Sequence, residues 1–532
     1  MITKESKTQN KLTVFIPCAG VGSRVEDQLS LNKALLTVGT KPAICHIIDS
    51  FQNKTEFVIA LGYKGKFLKN FLRDIYPKKK FFFKNIKNYK GKNSGLGRSL
   101  YECKTHLQKP FIFISCDTII LNKINTIKKN WIGLSKRKTT NEYRKVVLKD
   151  NKVKFIKEKS FKSKKKLPVY IGLSEIYDYK KFWDFANIKN KEFIKKGESF
   201  IFDKFLQKNI NISYKFFDWF DTGNLIALKD ARNFFQKKEN SILPKKNEAI
   251  WFVNNLVIKY HESQRFIKQR VARQKFLIGF TPKIILKRKN YYIYKKVEGK
   301  VLSRNKNIKN FKNFLNFNKI FWKKKYLDQK KKNLFNKSCL KFYKNKSFKR
   351  INLFYKNSLK KDHKTTINNV KIPKLSNLLK KINWKNISNG QPTRFHGDLH
   401  FENVLYRHKK FIYLDWRQEF EGRVDYGDIY YDLAKIMHGL YVSHLQVVKN
   451  NFKVSWIKNK IKISIISSKH QKKAIKFFEK WLIRNNFDIT KVKILTALIY
   501  LNICPLHHYP YNLFLYALGK SMLFKSLDNY EK

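Results

Sequence analysis

The segment His396–Trp416, with the sequence HGDLHFENVLYRHKKFIYLDW, contains two carboxylates and an amide that could act as a catalytic acid and as metal ligands. Asp398 follows a His-Gly pair, Asn403 comes next, and Asp415 closes an apolar β-forming run. Transfer of a phosphoryl group from ATP needs an acid that orients the accepting hydroxyl and oxygen ligands that hold Mg²⁺ on the phosphates. We therefore expect Asp398 to be catalytic and Asn403 and Asp415 to be metal ligands.

A second set of candidate residues lies near the other end of the sequence. The β-forming run Thr13–Cys18 leads directly into the turn AGVGSR, which contains Gly20, Gly22 and Arg24. Backbone N–H groups of a glycine turn can approach a triphosphate, and the arginine adds positive charge. Lys33 follows, at the start of a strand, a turn and an apolar helix. This pattern predicts a nucleotide-binding loop.

The elements that would position these groups alternate along this half of the chain. Short β runs, such as Phe57–Leu61, Phe111–Ser115 and Val169–Leu173, are separated by helical stretches such as Lys66–Ile75, as an α/β sheet requires. Asp117 follows one of these runs. It is therefore expected at the carboxyl edge of a parallel sheet, where a Mg²⁺ ligand would be well placed.

A polar, charged and proline-containing stretch, Gln236–Ala249, interrupts this alternation and is predicted to be a linker. Two β runs follow it, Ile250–Val253 and Leu256–His261, and they are separated by Asn-Asn, which predicts a tight hairpin turn. The predicted domains are residues 1–240 and 241–532.

The first domain resembles the sugar nucleotidyltransferases, including those like the molybdenum-cofactor guanylyltransferases. The segments that carry the resemblance are AGVGSR, NKALLTVGTKPAICHII, NSGLGRSL, FIFISCD, IKEKS and WFDTGN. It implies an α/β domain with a Rossmann-like mixed sheet. The roles that it implies are Lys33 at the α-phosphate under attack, Asp117 and Asp221 at Mg²⁺, Gly95 at the nucleotide base and Glu158 at the second substrate.

The second domain resembles the aminoglycoside phosphotransferase and choline kinase family, small-molecule relatives of protein kinases. The loop HGDLHFEN and the later segment GDIYYDLAK, Gly427–Lys435, carry the resemblance. It implies an α+β bilobal kinase-like domain, in which Asp432 braces the catalytic loop and Lys259 is the ATP-binding strand lysine. The next helix, predicted over Arg265–Leu277, has no acid to pair with Lys259, which departs from the family.

The net charge is +77, from 115 Lys and Arg against 38 Asp and Glu. The excess is mostly lysine, is spread through both domains and accompanies abundant Asn, Ile, Phe and Tyr, as an A/T-rich coding bias would produce. We recognise no RNA or DNA module and no spaced arginine pattern for base contacts. We therefore expect a general attraction for anions and no specific nucleic-acid partner.

The six cysteines lack CxxC spacing, so we interpret them as small core residues in a reducing cytosol, and we expect a cytoplasmic protein. Cys504, His507 and His508 would suggest a metal, but no fourth ligand is in evident register, which favours a structural role. The longest apolar stretch, Ile494–Leu506, is too short for a bilayer. We expect no transmembrane segment.

Two active sites on one chain make chemical sense if the first product is the second substrate. We expect ATP to phosphorylate a small polar acceptor and a nucleotidyl group from an NTP to be joined to that phosphate. The WFDTGN and EKS segments favour a sugar acceptor and an NDP-sugar for surface polysaccharide synthesis. The alternative is a choline or ethanolamine kinase with a CTP:phosphocholine cytidylyltransferase. An alternative of another class is a non-catalytic nucleotide- or polyanion-binding protein.

Overall fold

The chain folds into two compact units, Met1–Glu262 and Ser263–Lys532, in a computed structural model. The structure describes residues 11–22, 31–126, 128–136, 142–159, 161, 166–238, 247–304, 307–408 and 410–528. Arg24, one of the residues predicted to bind nucleotide, lies outside the described residues.

The first unit is built on a nine-stranded mixed sheet. Buried apolar runs form its parallel centre, where Thr13–Cys18 pairs with Glu56–Leu61 on one side and with Phe111–Ile114 on the other. Val169–Ile176 continues the sheet in the antiparallel direction. The remaining strands are Lys80–Asn85, Trp131–Ser135, Lys145–Lys149, Lys152–Lys157 and Ser213–Phe216. The predicted mixed α/β sheet is confirmed.

Helices of the first unit place their apolar side chains against this sheet. In Gly65–Ile75, the residues Leu68, Phe71, Leu72 and Ile75 are buried, as the spacing of an amphipathic helix requires. The other helices are Ala43–Asp49, Leu96–Glu102, Tyr179–Phe185, Lys191–Lys196, Glu198–Gln207 and Leu225–Lys238, with 3₁₀ turns at Lys33–Leu35 and Lys104–His106. Four short strands lie outside the main sheet: Thr37–Val38, Lys41–Pro42, Thr118–Ile120 and Trp219–Asp221.

A hairpin of two strands, Glu248–Val253 and Leu256–His261, ends the first unit. The Asn-Asn turn between them has φ values of 50° and 61°, which confirms the predicted tight turn. Trp251 is fully buried, lies 5.3 Å from the ring of Phe71 and donates a 2.8 Å hydrogen bond to Thr37. The hairpin therefore packs as part of the first unit, whereas the sequence predicts a domain boundary at residues 240 and 241, before the hairpin.

The second unit combines small sheets with many helices. Its first helix is Gln264–Gln274. Its strands are Ile284–Lys287, Tyr291–Lys295, Lys300–Val301, Thr365–Ile367, Val370–Ile372, Pro392–Thr393, Val404–Arg407, Lys410–Tyr413, Gly427–Asp428, Phe452–Ile457 and Lys460–Ile465. Val404–Arg407 and Lys410–Tyr413 pair antiparallel and carry the candidate metal ligands at their ends. The α+β content agrees with the predicted class, and the bilobal kinase-like architecture stays a prediction.

Helices dominate the rest of the second unit. They are Ile308–Phe321, Gln329–Leu340, Lys346–Ser358, Leu375–Lys381, Trp384–Ser388, Ile429–Tyr441, His444–Val448, Lys469–Arg484, Ile489–Ile503 and Tyr511–Asp528. A π-helical turn, Lys341–Asn345, joins two of them, and 3₁₀ turns lie at Leu302–Arg304, Phe401–Asn403 and Cys504–Leu506. Among the described residues, one stretch, Ile489–Leu506, has the length and composition of a membrane span, and 67% of it is buried, as in a core helix.

Candidate active sites

Lys33 is held at the end of the central strand by the residue before it. The side-chain amide of Asn32 donates hydrogen bonds of 2.9 Å to the Cys18 carbonyl oxygen and 2.7 Å to the Tyr63 carbonyl oxygen. The ammonium of Lys33 contacts the carboxylate of Asp117, and the two side chains are only 18% and 21% exposed. The turn therefore presents the lysine, already paired with an acid, in a largely buried position.

The glycine turn lies beside this lysine. Gly22 has a φ of 76°, and a methyl group added to it would lie 3.1 Å from Lys33 Cβ. Gly20 faces open space, with no atom within 4 Å of such a methyl group. Glycine at position 22 thus serves both the backbone conformation and the close approach of the lysine stem.

Two short strands bring Asp117 and Asp221 together, because Thr118–Ile120 pairs antiparallel with Trp219–Asp221. A methyl group on Gly223 would lie 2.9 Å from one oxygen of each carboxylate. The two oxygens can therefore be no farther apart than twice that distance. Both carboxylates face a space that stays open because residue 223 has no side chain.

The charges at this site are strongly coupled. Burial raises the pKa of Asp221 to about 6, and the negative charge of Asp117 acts in the same direction. The Gly223 N–H, at 2.8 Å, and the Tyr143 hydroxyl, at 2.9 Å, donate to Asp221 and oppose that rise. Burial disfavours the charged form of Lys33, but Asp117 and other negative neighbours raise its pKa above the usual value. Two facing carboxylates that repel each other are oxygen donors that suit a divalent cation, because the cation would neutralise both charges.

A cation held by Asp117 and Asp221 needs further ligands to complete its coordination shell. Among the described residues, no group of three or more His, Cys, Asp and Glu side chains is placed to hold a metal ion. Phosphate oxygens and water commonly complete the shell of Mg²⁺ bound by one or two carboxylates. Asp117 and Asp221 therefore fit a cation that arrives with a nucleotide.

Gly95 and Glu158 lie at contacts that the sequence does not reveal. A methyl group on Gly95 would lie 2.1 Å from the carbonyl oxygen of Ile194, so this glycine allows two helices to approach closely. Glu158 is 47% exposed and forms ion pairs with Lys196 at 3.3 Å and with Arg144 at 3.5 Å. Their predicted contacts with the nucleotide base and the second substrate stay predictions.

The HGD loop of the second unit is fixed by a carboxylate from a helix. The backbone N–H groups of His396 and Gly397 each donate a 2.7 Å hydrogen bond to Asp432, which thus braces the loop. Burial lowers the pKa of His396 to about 3, so its ring is neutral. The ring donates to the Leu414 carbonyl oxygen at 2.8 Å and accepts from the Asp398 N–H at 3.2 Å. Histidine at 396 therefore connects the loop to the neighbouring strand.

Asp398 is surrounded by positive charge. Its Oδ1 lies 2.8 Å from Lys435 Nζ, and its Oδ2 lies 3.7 Å from His400 Nε2. Burial raises the pKa of Asp398, but Lys435 and His400 outweigh burial and hold it well below the usual value. Burial lowers the pKa of His400, whereas Asp398 and Glu402 raise it, to about 9. Sequence reasoning missed Lys435 and His400, although both lie inside the quoted motifs.

Asn403 and Asp415 lie side by side because the Leu414 N–H donates to the Asn403 carbonyl oxygen at 2.8 Å. The Asn403 amide donates to the Asp398 carbonyl oxygen at 2.9 Å, which leaves the side-chain oxygen of Asn403 as an acceptor for a cation. Asp415 has a φ of 53° and pairs with Arg270 at 3.3 Å. Where the sequence shows no acid on the helix Gln264–Gln274, the structure shows a buried arginine directed at the candidate metal ligand.

Lys259 lies on the strand Leu256–His261, opposite Ile250 in the hairpin of the first unit. It is 8% exposed. Its predicted contact with ATP stays a prediction.

Comparison with known proteins gives a partial match. No family model matches the chain. A segment of 178 residues is 26% identical to the bifunctional protein GlmU of Campylobacter lari, and the match covers 32% of this chain and 40% of that protein. The chain thus spans less than half the length of this curated relative.

Solved structures that resemble part of the chain cover a larger share of it than this relative does. A putative glucose-1-phosphate thymidylyltransferase from Bacillus anthracis gives a TM-score of 0.36 at 16% identity, with 44% of this chain and 98% of that one covered. The CTP:phosphocholine cytidylyltransferase from Streptococcus pneumoniae gives 0.34 at 17% identity, with 42% and 99% covered. The amino-terminal region of the chain resembles nucleotidyltransferases.

Proposed function

We propose that the first unit transfers a nucleotidyl group from an NTP to a phosphate monoester and releases pyrophosphate. The observation that supports this most directly is the placement of Lys33 against Asp117, with Asp221 facing the same space across Gly223. A largely buried lysine beside a glycine turn and two adjoining carboxylates provide what a triphosphate requires.

Each group would have a separate task in that reaction. The ammonium of Lys33 would stabilise charge that develops on the α-phosphate, in a site where solvent screens it little. The glycine turn of Gly20 and Gly22 would leave the backbone accessible to the phosphates. Asp117 and Asp221 would hold Mg²⁺, which supplies charge neutralisation for the triphosphate and the departing pyrophosphate.

A pyrophosphate-release assay with the full chain tests this proposal. Each NTP is paired with sugar 1-phosphates and with phosphocholine or phosphoethanolamine. We expect release that requires one NTP, one phosphate monoester and Mg²⁺, and Asp221→Ala should lower turnover by about a hundredfold or more. A folded Asp221→Ala protein with normal turnover would place the metal elsewhere.

We propose that the second unit transfers a phosphoryl group from ATP to a hydroxyl of a small acceptor. The supporting observation is the HGD loop, in which Asp432 binds two consecutive N–H groups and Asp398 remains 33% exposed. Asp398 would accept a hydrogen bond from the acceptor hydroxyl and orient it. Asn403 and Asp415 would hold the Mg²⁺ that neutralises the ATP phosphates.

Together the two activities would convert a small acceptor into an NDP-linked product. We propose a sugar as the acceptor and surface polysaccharide as the destination of the product, with choline or ethanolamine as the rival acceptor. The test follows ADP and pyrophosphate in one reaction that contains ATP, an NTP and an unphosphorylated acceptor. Pyrophosphate release that depends on ATP and on the acceptor is expected. Release of neither product from any pair would favour a non-catalytic nucleotide- or polyanion-binding protein.

A further inference from the structure

Three basic side chains lie close to one another near the HGD loop of the second unit, and we call Lys346, Arg417 and Lys435 the basic cluster. Lys435 forms the 2.8 Å ion pair with Asp398. Arg417 packs over the residue that precedes Asp398, because a methyl group added to Gly397 would lie 2.6 Å from Arg417 Cβ. The Lys435 ammonium therefore contacts Asp398 itself, and the side-chain stem of Arg417 contacts the residue before it.

Lys346 joins the cluster through an aromatic ring. Its Nζ lies 4.3 Å from the centroid of Phe342, and Arg417 Cζ lies 4.7 Å from the same centroid. Lys346 also lies 5.7 Å from the ring of Tyr431, which is one helical turn before Lys435. The three cations therefore share one surface beside Asp398.

The positive charge of this surface is poorly balanced. Within the described part of the chain, Asp398 pairs with Lys435, and neither Lys346 nor Arg417 has an acidic partner. Burial lowers the pKa of Lys346 well below its usual value, and Arg417 and Lys435 lower it further. Unlike the many exposed lysines of this chain, Lys346 is partly desolvated and lies near two like charges, so its protonated form is disfavoured until an anion binds there.

We propose that the basic cluster binds a phosphate or carboxylate group of the acceptor, so that the second unit phosphorylates an anionic hydroxyl compound. This inference rests on the proposed phosphoryl transfer at Asp398 and specifies its acceptor. A cationic amino alcohol would be repelled by this cluster, in which Asp398 pairs with Lys435 alone, so the cluster disfavours choline and ethanolamine.

An anion on the acceptor would also free the candidate catalytic residue. In the structure, Lys435 binds Oδ1 of Asp398, one of the two carboxylate oxygens that could accept a hydrogen bond from the substrate. An acceptor anion shared by Lys346, Arg417 and Lys435 would weaken that ion pair by competing for the lysine. Binding of the acceptor would thus make Asp398 available to orient the hydroxyl.

Steady-state kinetics of ADP formation with the full chain test the acceptor. The acceptors are glucuronate and glucose 6-phosphate, with glucose and choline as the neutral and cationic counterparts. We expect turnover with an anionic sugar, and Lys346→Gln and Arg417→Gln should each raise its KM by about ten- to a hundredfold. The KM for ATP should stay unchanged. Lys349→Gln, on the same helix as Lys346 but exposed, is the matched control and should behave as wild type.

Calorimetric titration with inorganic phosphate tests the site without turnover. We expect wild type and Lys349→Gln to bind phosphate, with loss of that binding in a Lys346→Gln, Arg417→Gln double variant. Phosphate should compete with the acceptor for the enzyme. Unchanged binding in the double variant, or competition with ATP instead, would overturn the inference.

The two proposals fail in different ways. Phosphate binding through the cluster without ADP formation from any acceptor would refute the proposed phosphoryl transfer and support the anion site. Efficient turnover of glucose or choline, with the same KM in wild type and both single variants, would refute the anion site and leave phosphoryl transfer intact.

Discussion

The space that Gly223 leaves between Asp117 and Asp221 gives a sharp prediction, because a single methyl group can test it. In Gly223→Ala, the new carbon would lie 2.9 Å from an oxygen of each carboxylate. Carbon and oxygen atoms in ordinary contact stay about 3.3 to 3.6 Å apart, so each oxygen must move by about half an ångström. No charge changes, and every proposed ligand is kept.

The expected effect is on turnover, not on folding. Since a displacement of about 1 Å in an active site can cost about a hundredfold in rate, half that displacement predicts a loss of about tenfold in nucleotidyl transfer. The Mg²⁺ concentration for half-maximal rate should rise, because the two carboxylates can no longer both approach one ion. The assay is pyrophosphate release across a Mg²⁺ series, with thermal unfolding measured in parallel.

A matched control separates activity from stability. Gly91 has a φ of 90° and no atom within 4 Å of an added methyl group. Gly91→Ala should therefore cost about 1 kcal/mol of stability through backbone strain and leave turnover unchanged. If Gly223→Ala were folded and had wild-type turnover and Mg²⁺ dependence, the reasoning that both carboxylates act on one ion in this space would be refuted.

Four further predictions concern both units. Asp398→Asn should abolish ADP formation and leave pyrophosphate release from a supplied phosphate monoester nearly unchanged; loss of both in a folded protein would contradict independent sites. Lys33→Ala should lower pyrophosphate release by about a hundredfold or more at low and at high salt, because a buried contact is little screened, whereas Gln at Lys323–Lys325 should change only low-salt binding of polyanions. Arg270→Gln removes a cation from the candidate metal ligand Asp415, so ADP formation should reach half its maximum at a lower Mg²⁺ concentration, and a higher requirement would contradict that role. The pKa of His400 is raised from 6.5 to about 9 in the folded protein, so its contribution to the free energy of unfolding is complete below pH 6.5 and is lost as the pH rises to about 9. Denaturant unfolding of His400→Asn should not show this decrease in stability between pH 6.5 and about pH 9.

The sheet of the first unit could be predicted because its strands are short, apolar and separated by clear turn residues. The run Phe57–Leu61 is fully buried within the observed strand Glu56–Leu61, and the Asn-Asn hairpin turn has the backbone conformation that its residues favour. Local patterns of this kind depend on a few neighbouring residues. They can therefore be predicted without knowledge of the tertiary structure.

The stretch from Arg304 to Lys371 could not be predicted, although most of it is helical. Lysine and asparagine occupy its exposed positions so densely that the apolar period is hard to see in the sequence. Three helices there, Ile308–Phe321, Gln329–Leu340 and Lys346–Ser358, bury scattered aromatic side chains. Their contribution to the candidate site, Lys346, depends on contacts with residues that are distant in the sequence.

Other features of the candidate sites also depend on long-range packing. The pairing of Arg270 with Asp415 joins a helix and a strand end that are far apart in the chain. The close contact of Gly95 with Ile194 likewise gives that glycine a packing role that a motif cannot show. Spacing identified residue types suited to the chemistry, but it could not identify the partners that set their charge.

The amide of Asn32 uses both of its N–H groups on the Cys18 and Tyr63 carbonyl oxygens, and its oxygen accepts from the Ala34 N–H. Deamidation, a common form of chemical ageing, would replace this donor with a carboxylate. Two buried attractions would then become repulsions against carbonyl oxygens. In a deamidated molecule, Lys33 would no longer be held in place, although most of the sheet would stay folded. The proposed activity would therefore be lost before the fold.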